Sequence, residues 1–532
     1  MDPDSNNQDA PKDTVGRRLI QIGLLVATFA VLNRVLLRPW VLSPEAYFES
    51  VLFPSTLMDL FSPSLRLAVV ALATGIFLVK FRQALMAWQN FEDGQALRAI
   101  TTVCAFILAW VYSTYDYNHY FSQSHIVDRL ILWFMFGLVV WRPVFVLPMM
   151  IAAWPISGQF QVPLAGYSWT IIHLPARILM LVAATHLIGL ITQRWRTQHY
   201  WFVLLCLIAG HYFPSGWGKT RIGWLEHDQV YFLLPNTYAS GWLSFLDPDQ
   251  IEGLTKKLAW INGPIKVATL LVELGAVFVL CHPKITKGLL LAWAVFHVGI
   301  VSVSGIFLWP WIVIDSAVLI LIWRSKTNVP TVFSRIEMAL SIILIALASV
   351  WTNSVGLVWI DSPVTNTYRV IALGEGGNEY AISQSVIAPY DYQFSLCSFA
   401  HLLDQPTLPV TWGAAKLPTY LALRDAKTMD DVLEIERKIG DRQFDQVLSN
   451  EMKKFLVAFA RDLNRSADQS SFPVFLRAPK TILHFPPENE FCHQEPIVAI
   501  KITRTVTGMI DGTYQESDPM TVLTTGRIEP LR

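Results

Sequence analysis

The stretch that decides the fold is residues 287–323, KGLLLAWAVFHVGIVSVSGIFLWPWIVIDSAVLILIW. It is apolar for almost its whole length, but it is too long for one helical crossing of a bilayer, which takes about 20 residues. Gly305 and the triplet Trp309-Pro310-Trp311 interrupt it near the middle. Because glycine and proline end or kink helices, the stretch predicts two membrane-spanning helices joined by a tight turn.

Apolar runs of the same kind recur through the chain before it and directly after it. A second long run, residues 129–157, is interrupted at Trp141-Arg142-Pro143 and predicts another helical hairpin. The runs that suit a single crossing lie at residues 19–37, 65–82, 97–113, 170–192, 200–214, 263–281 and 334–352. Together they predict a polytopic α-helical membrane bundle of about eleven crossings, with nine or ten as alternatives.

The composition of the chain changes near residue 355. The first 360 residues carry 43 charged side chains, whereas the last 172 residues carry 39. We therefore predict three parts: a disordered tail at residues 1–16, a transmembrane domain at 17–355 and a soluble domain at 361–532. The formal net charge is zero, so the composition indicates no nucleic-acid partner.

The soluble region carries patterns of both strands and helices. Runs such as Thr367–Leu373 and Ile497–Val506 are typical of strands, and the glycine-rich residues 374–377 are typical of a hairpin turn. Thr428 and Asp431 have the spacing of a helix-capping box. The apolar residues between Phe444 and Leu463 recur at helical spacing. The bundle is therefore predicted to be followed by a soluble α+β domain.

Basic residues indicate how the bundle is oriented. With eleven crossings, the clusters around Arg17, Lys80 and Arg194 fall on one side, which the positive-inside rule assigns to the cytoplasm. The N-terminus would then be cytoplasmic, and the C-terminal domain would lie outside a plasma membrane or bacterial inner membrane. One crossing fewer would place the C-terminal domain on the opposite, cytoplasmic side of the membrane. In an oxidising compartment, Cys397 and Cys492 would be able to form a disulfide.

Ionisable residues inside apolar runs are candidates for function, because a charge at the bilayer centre costs about 2.5 kcal/mol or more. His173 and Arg177 are four residues apart and share a helix face, while Glu273 and His297 lie in mid-span. Structural alternatives exist: Glu273 would hold helices together by pairing with His297 or Arg177. Asp315 would be solvated or would cap a helix broken by the preceding proline. The set indicates a polar cavity within the bundle.

Residues 210–228, GHYFPSGWGKTRIGWLEHD, form the stretch that most suggests chemistry. We expect the apolar span to end at Pro214 and the small residues after it to allow close packing. Lys219 follows between Trp217 and Trp224, and a lysine desolvated by aromatic rings can act as a base near neutral pH. The segment that follows is expected to form an amphipathic lid over a cavity mouth.

This pattern resembles the HTTM fold of vitamin K-dependent gamma-carboxylase and its bacterial relatives. The resemblance covers roughly residues 95–325 and departs from the usual family pattern at Ser215 and Thr220. It rests on Trp141-Arg142-Pro143, Tyr212…Ser215-Gly216-x-x-Lys219…Trp224, Glu273, Phe296-His297 and Gly305-Ile306-Phe307.

The resemblance implies quinol chemistry within the membrane. In the carboxylase, oxidation of reduced vitamin K produces a strong base that removes a carbon-bound proton from glutamate before carboxylation. By position, Lys219 would deprotonate the hydroquinone, while His211 and His297 would hydrogen-bond the quinone oxygens and Glu273 would orient them. The other residues expected to bind the cofactor are His173, Arg177, Trp217 and Trp224. The sequence shows no metal-ligand spacing.

Two classes of function remain open from the sequence. The first is a quinol-linked membrane enzyme, resembling a carboxylase or oxidoreductase, that acts on an apolar or lipid-linked small molecule or on a secreted protein. The second is a non-enzymatic assembly factor or chaperone that acts through the outer domain. It rests on a weaker similarity to lipase maturation factors, which includes Leu234-Pro235-Asn236. A transporter is disfavoured because no internal repeat with paired broken helices is detectable.

Overall fold

A computed structural model of the chain describes residues 15–37, 40–62, 64–80, 83, 94–114, 120–159, 162, 173–192, 197–324, 333–354, 356–382, 399–465, 476–487 and 489–528. Most of the predicted N-terminal tail lies outside the described residues, and so does Cys397. The disorder of the tail and the pairing of Cys397 with Cys492 therefore stay predictions.

Helices dominate the first two thirds of the chain, and their ends follow local chemistry. Ser334 and Glu337 form a capping box at the start of one helix, and Gly305, at φ +68°, ends another. The helices are α1 (Val15–Leu36), α2 (Phe53–Leu60), α3 (Leu65–Val79), α4 (Gly94–Thr114), α5 (Ile126–Trp141), α6 (Val146–Gly158), α7 (His173–Thr192), α8 (Thr197–Arg221), α9 (Trp224–His227), α10 (Leu233–Ala239), α11 (Pro248–Trp260), α12 (Asn262–Leu274), α13 (Pro283–Ser304), α14 (Trp309–Arg324), α15 (Arg335–Ala346) and α16 (Ala348–Trp351).

Several of these helices suit a lipid environment. In the described ranges, four are long and apolar enough to cross a membrane: Gly16–Leu36, Gln95–Thr114, His173–Thr192 and Pro283–Ser304. Two bent pairs, α2 with α3 and α11 with α12, raise the number to as many as six if each pair is one span. Large apolar side chains on the outer faces of α1 and α13, such as Ile20 and Val295, are exposed. This arrangement is consistent with contact between the helices and lipid.

The predicted end of a helix at Pro214 is wrong, because α8 continues through this proline to Arg221. Proline lacks an N–H group, so the carbonyl of Gly210, four residues earlier, loses its helical hydrogen bond. In the structure that carbonyl accepts a hydrogen bond from the Ser354 hydroxyl at 3.1 Å. A side chain from a distant segment therefore satisfies the group that proline leaves free, and the helix can continue.

The segment after α8 folds into short helices. We call residues 222–261, which contain α9, α10 and α11, the lid segment. It packs on the C-terminal domain, where the backbone N–H of Tyr514 donates to Glu252 Oε1 at 2.7 Å. The lid segment also leads directly into α12, from which it turns by 63° at the end of α11.

The C-terminal domain is built on an antiparallel sheet. Its elements are β1 (Ile360–Asp361), β2 (Val364–Gly374), β3 (Glu379–Ala381), β4 (Ala414–Ala415), α17 (Leu417–Leu423), α18 (Met429–Ile439), α19 (Gln446–Arg465), β5 (Ile497–Ile510), β6 (Thr513–Glu516) and β7 (Met520–Thr524). The main sheet has the order β3-β2-β5-β6, and β7 also pairs with β5. The apolar face of α19, including Phe455 and Phe459, is buried in the domain core. The predicted capping box at Thr428 and the predicted turn at residues 374–377 are both present.

The C-terminal domain docks on the bundle through backbone contacts. Residue Ile482 forms an antiparallel bridge with Ile306, in the turn between α13 and α14. The N–H of Leu483 donates to the carbonyl of Gly305 at 2.9 Å. The indole of Trp309 donates to the carbonyl of Pro479 at 2.9 Å. Bundle, lid segment and domain thus meet around the end of the α13–α14 hairpin.

Candidate functional site

Lys219 and Glu273 form an ion pair between α8 and α12. The Lys219 Nζ donates to Glu273 Oε1 at 2.6 Å, and the two side chains are only 12% and 5% exposed. The Lys219 ammonium also lies 5.2 Å from the ring centroid of Trp224, in a cation–π contact. The pair thus places a hydrogen-bond donor and an acceptor, both able to gain or lose a proton, in direct contact.

Gly216 allows the two helices to come close enough for this pair. A Cβ atom at position 216 would lie 2.8 Å from the Cβ of Glu273, which is closer than real Cβ contacts. Ser215 is buried beside it, and its Oγ accepts the N–H of Leu357 at 3.0 Å. The predicted close packing at these small residues is therefore present, although they lie in a helix and not in a loop.

A second polar group lies on the same face of α8, two turns before Lys219. The Tyr212 hydroxyl donates to Asp315 Oδ2 at 2.8 Å and lies 3.4 Å from His297 Nδ1. The ring of Trp293 stacks on Tyr212 with centroids 4.4 Å apart. Three helices, α8, α13 and α14, thus place a phenol, an imidazole and a carboxyl group in contact inside the bundle.

A third polar group links α7 to α8. The guanidinium of Arg177 hydrogen-bonds His211 Nε2, and its other terminal nitrogen donates to the carbonyl of Asn353 at 3.1 Å. His173 lies one turn before Arg177 and interacts electrostatically with it. The ring of Trp311 contacts His211 and also His297, with centroids 5.1 and 5.6 Å apart. Trp311 therefore connects the second and third groups.

The structure brings several sequence-predicted residues together but changes their partners. Glu273 pairs with Lys219, and not with His297 or Arg177 as the structural alternative proposed. Asp315 is fully buried in the middle of α14, so the expectation that it is solvated or caps a helix is wrong.

The two tryptophans that flank Lys219 in sequence point to different surroundings. Trp217 is 56% exposed and stacks with Phe213, whereas Trp224 is buried beside Lys219. Only Trp224 therefore contributes to the desolvation of the lysine that the sequence suggested.

Two buried carboxylate oxygens in these groups could receive hydrogen bonds from a ligand. Glu273 Oε2 and Asp315 Oδ1 are buried, and neither has a hydrogen-bond partner among the residues that the structure describes. Burying an acceptor without a donor costs free energy, typically about 1–3 kcal/mol. A hydroxyl group is a donor that each of these oxygens could accept, and a reduced quinone carries two such groups.

Sequence reasoning missed a pair of aspartates, which joins the lid segment to the C-terminal domain. Asp228 follows α9 and Asp361 lies in β1, and both side chains are buried. The backbone N–H of Asp361 donates to Asp228 Oδ1, and Trp359 Nε1 donates to Asp361 Oδ1 at 3.2 Å. The two residues lie 133 positions apart, and no local pattern connects them.

A cavity of about 300 Å³ lies next to this pair, between the lid segment and the domain. Tyr231, Phe232 and Val364 are among its apolar lining residues. Lys256 and Arg424 lie at its exposed side, and each already pairs with a neighbouring carboxylate on its own segment. The cations are therefore partly neutralised, so their charge alone does not indicate an anionic ligand.

In the described part of the chain, the candidate site thus combines a lysine–glutamate pair with two histidine-containing groups in one helical bundle. Such groups can donate, accept and hold protons in surroundings that are largely apolar. Comparison with known proteins found no match: no family model, no curated protein and no solved structure matches this chain.

Proposed function

We propose that this protein is an integral membrane enzyme that carries out acid–base chemistry on a small apolar molecule with hydroxyl groups, and that a reduced quinone of the vitamin K type is its cofactor. One observation carries this proposal: Glu273 Oε2 and Asp315 Oδ1 are buried acceptors without a donor among the described residues, and they lie in the same bundle as Lys219. When bound, a hydroquinone supplies two O–H donors and a pair of electrons.

The residues of the chain would have separate tasks in this reaction. Transfer of the proton from Lys219 Nζ to Glu273 Oε1 would leave Lys219 as a neutral amine, which would accept a proton from a hydroxyl group and return it later. Asp315 accepts a hydrogen bond from the hydroxyl of Tyr212 and thereby fixes the direction of that hydroxyl, with His297 within reach as a further hydrogen-bonding group.

His211, fixed by Arg177, would hold a second polar atom of the ligand. His173 and Trp224 would complete the walls of the site.

The proposal extends to how the chain lies in the membrane. Four to six of the described helices are long and apolar enough to span a membrane. The proposal is that the shorter apolar helices cross as well, which gives about eleven crossings, with nine or ten as alternatives. With eleven crossings, the N-terminus would be cytoplasmic and the C-terminal domain would lie outside a plasma membrane or bacterial inner membrane. The partners would then be lipid, an apolar or lipid-linked small molecule and, through the outer domain, a secreted protein.

The enzymatic proposal can be tested with the purified full-length protein in lipid nanodiscs. Vitamin K hydroquinone is added in air, and its oxidation and the consumption of oxygen are followed. We expect the wild type to oxidise it, and Lys219→Ala to lower the rate by roughly 10²-fold or more, the usual effect of losing a general base. Lys257→Ala, which removes an exposed lysine of α11, serves as the matched control and should keep the wild-type rate.

Two results would count against the proposal in different ways. If the wild type neither binds nor oxidises the hydroquinone, quinol chemistry is wrong, and the assembly-factor function of the outer domain becomes the better explanation. If the wild type is active and Lys219→Ala is equally active, the quinol chemistry stands but the assignment of the base is wrong.

A further inference from the structure

Asp228 and Asp361 form a buried contact between the lid segment and the C-terminal domain. Both side chains are buried, and the backbone N–H of Asp361 donates to Asp228 Oδ1. Oδ2 of Asp228 is buried and has no donor among the described residues. Two carboxyl groups so close together, one with an unsatisfied oxygen, favour the state in which they share a proton.

The electrostatic surroundings agree with a shared proton. Burial raises the pKa of Asp228 to about 6, and burial together with the adjacent Asp228 carboxyl raises the pKa of Asp361 well above its ordinary value. The cations that face the pair are Lys219 and Lys266, and they offset this effect only in part. Each is engaged elsewhere: Lys219 binds Glu273, and Lys266 Nζ donates to the carbonyls of Leu225 and Asp228.

Other titratable groups lie near enough to matter. The phenol of Tyr420, in α17, interacts electrostatically with Asp228. His227 precedes Asp228 directly and lies 3.8 Å from the exposed carboxylate of Glu226. His227 is therefore replaced as a control in the experiment below.

We infer that Asp228 and Asp361 form a proton-dependent latch, which holds the C-terminal domain against the lid segment while the two carboxyl groups share a proton. Loss of that proton leaves two adjacent carboxylates in a buried site, where they repel each other. Both pKa values are raised in the closed state, so the contact has its full strength below the ordinary pKa of an aspartate, about 4. It weakens as the pH rises from there through the raised pKa values, which for Asp228 is about 6.

Release of the latch would open the cavity beside it. Tyr231 and Phe232 follow Asp228 in the chain, Pro363 and Val364 follow Asp361, and all four line the cavity of about 300 Å³. Separation of the two segments would therefore widen the cavity and expose its apolar walls. This inference concerns the conformation of the protein and does not depend on the reaction proposed above.

Spin labels on either side of the cavity can test the latch. The labels are attached through Lys256→Cys in the lid segment and Arg424→Cys in the domain, both at exposed positions, with Cys281, Cys397 and Cys492 replaced by serine. Distances are measured by pulsed electron paramagnetic resonance in full-length protein, frozen at values from about pH 5 to about pH 8. We expect one short distance at the acid end and a longer population that grows with pH. The growth should be up to roughly tenfold per pH unit for each proton that the pair releases on opening, and it should level off once the pH has passed the raised pKa values of the closed pair.

Two variants identify the group that titrates. Asp228→Asn keeps the acceptor for the Asp361 N–H and adds an amide donor for the Asp361 carboxylate, so it should stay closed across the whole range. His227→Gln removes the neighbouring imidazole and should keep the wild-type response. If the distances of the wild-type background do not change with pH, or if His227→Gln abolishes the change, the latch is overturned. If Asp228→Asn does not fold, Asp361→Asn replaces it, with the same closed state expected.

Discussion

At the scale of single residues, the interior charges decide which substitutions the protein can tolerate. Lys219 and Glu273 are nearly inaccessible to solvent, and each is the other's ionic partner at 2.6 Å. Removing one member of such a pair leaves a buried charge without compensation, whereas removing both leaves only a gap in the packing. The effects of the two substitutions should therefore be strongly non-additive.

We expect Glu273→Gln to lower the free energy of unfolding by about 3 kcal/mol, because it strands the Lys219 ammonium. Lys219→Met should have a cost of similar size, and the double variant should lose much less than the sum of the two. Chemical denaturation in detergent, followed by tryptophan fluorescence, would measure all three. The pair Lys438 and Glu434, exposed on α18, is the matched control, and the same double-mutant cycle there should show no comparable coupling. Additive losses at Lys219 and Glu273 would contradict the pairing.

The sequence identified some of the interior residues and could not identify others. Lys219, Glu273 and His297 stood out because ionisable side chains are rare in apolar runs. Their partners could not be predicted from the sequence, because pairing depends on how α8, α12 and α14 pack together, and no local sequence pattern indicates this packing. Asp228 and Asp361 carried no signal, because aspartate is ordinarily solvated and the fold that buries these two joins segments 133 positions apart.

At the scale of elements, close helix packing depends on residues without side chains. Gly216 on α8 faces Glu273 on α12, and a Cβ there would lie 2.8 Å from the Cβ of that glutamate. In contrast, a Cβ at Gly253, inside α11, would meet no atom within 4 Å. The two glycines are both helical, so they form a matched pair in which only the contact differs.

We expect Gly216→Ala to push α12 away from α8, to destabilise the protein and to weaken the Lys219–Glu273 pair. Gly253→Ala should instead be neutral or stabilising by up to about 1 kcal/mol, because alanine favours the helix over glycine. Thermal unfolding of both variants in detergent would compare them. A loss of stability at Gly253→Ala as large as that at Gly216→Ala would show that the contact with Glu273 is not the cause.

The continuation of α8 through Pro214 is a case in which a local sequence rule fails. Proline ordinarily ends a helix, and that rule placed a boundary at Pro214 where α8 in fact continues. The helix continues because the hydroxyl of Ser354 donates a hydrogen bond to the Gly210 carbonyl, which Pro214 leaves without its helical donor. Ser354 is 144 positions away from Gly210 in the sequence. The long apolar helices and the capping box at Thr428 were predictable, because their determinants lie within a few residues.

At the scale of the whole molecule, the number of crossings and the side of the C-terminal domain are tied together by parity. The arrangement of the helices in the bundle does not tell which end of the bundle faces the cytoplasm. The distribution of Lys and Arg carries that information and, with the eleven crossings proposed above, would place the domain outside the cytoplasm. An even number of crossings would place the same domain in the cytoplasm.

We expect alkaline phosphatase fused after Arg532 to be active and green fluorescent protein at the same position to be dark in a bacterial host, because only the first folds outside the cytoplasm. Fusions after Arg196, which follows α7, should show the opposite pair of signals and serve as the control for a cytoplasmic loop. Enzyme activity and whole-cell fluorescence would be recorded for both sites. Fluorescence from the fusion after Arg532 would exclude eleven crossings.

The backbone contact between the α13–α14 turn and residues Ile482 and Leu483 has a consequence for biosynthesis. Translation releases the turn nearly 180 residues before its partner strand, as the numbering of Ile306 and Ile482 shows. During that interval the carbonyl of Gly305 lacks the donor that it has in the finished protein. The hairpin is therefore synthesised well before its turn can form these backbone contacts. A ribosome that stalls before residue 483 would leave a nascent chain in which the α13–α14 turn lacks the hydrogen bond from Leu483.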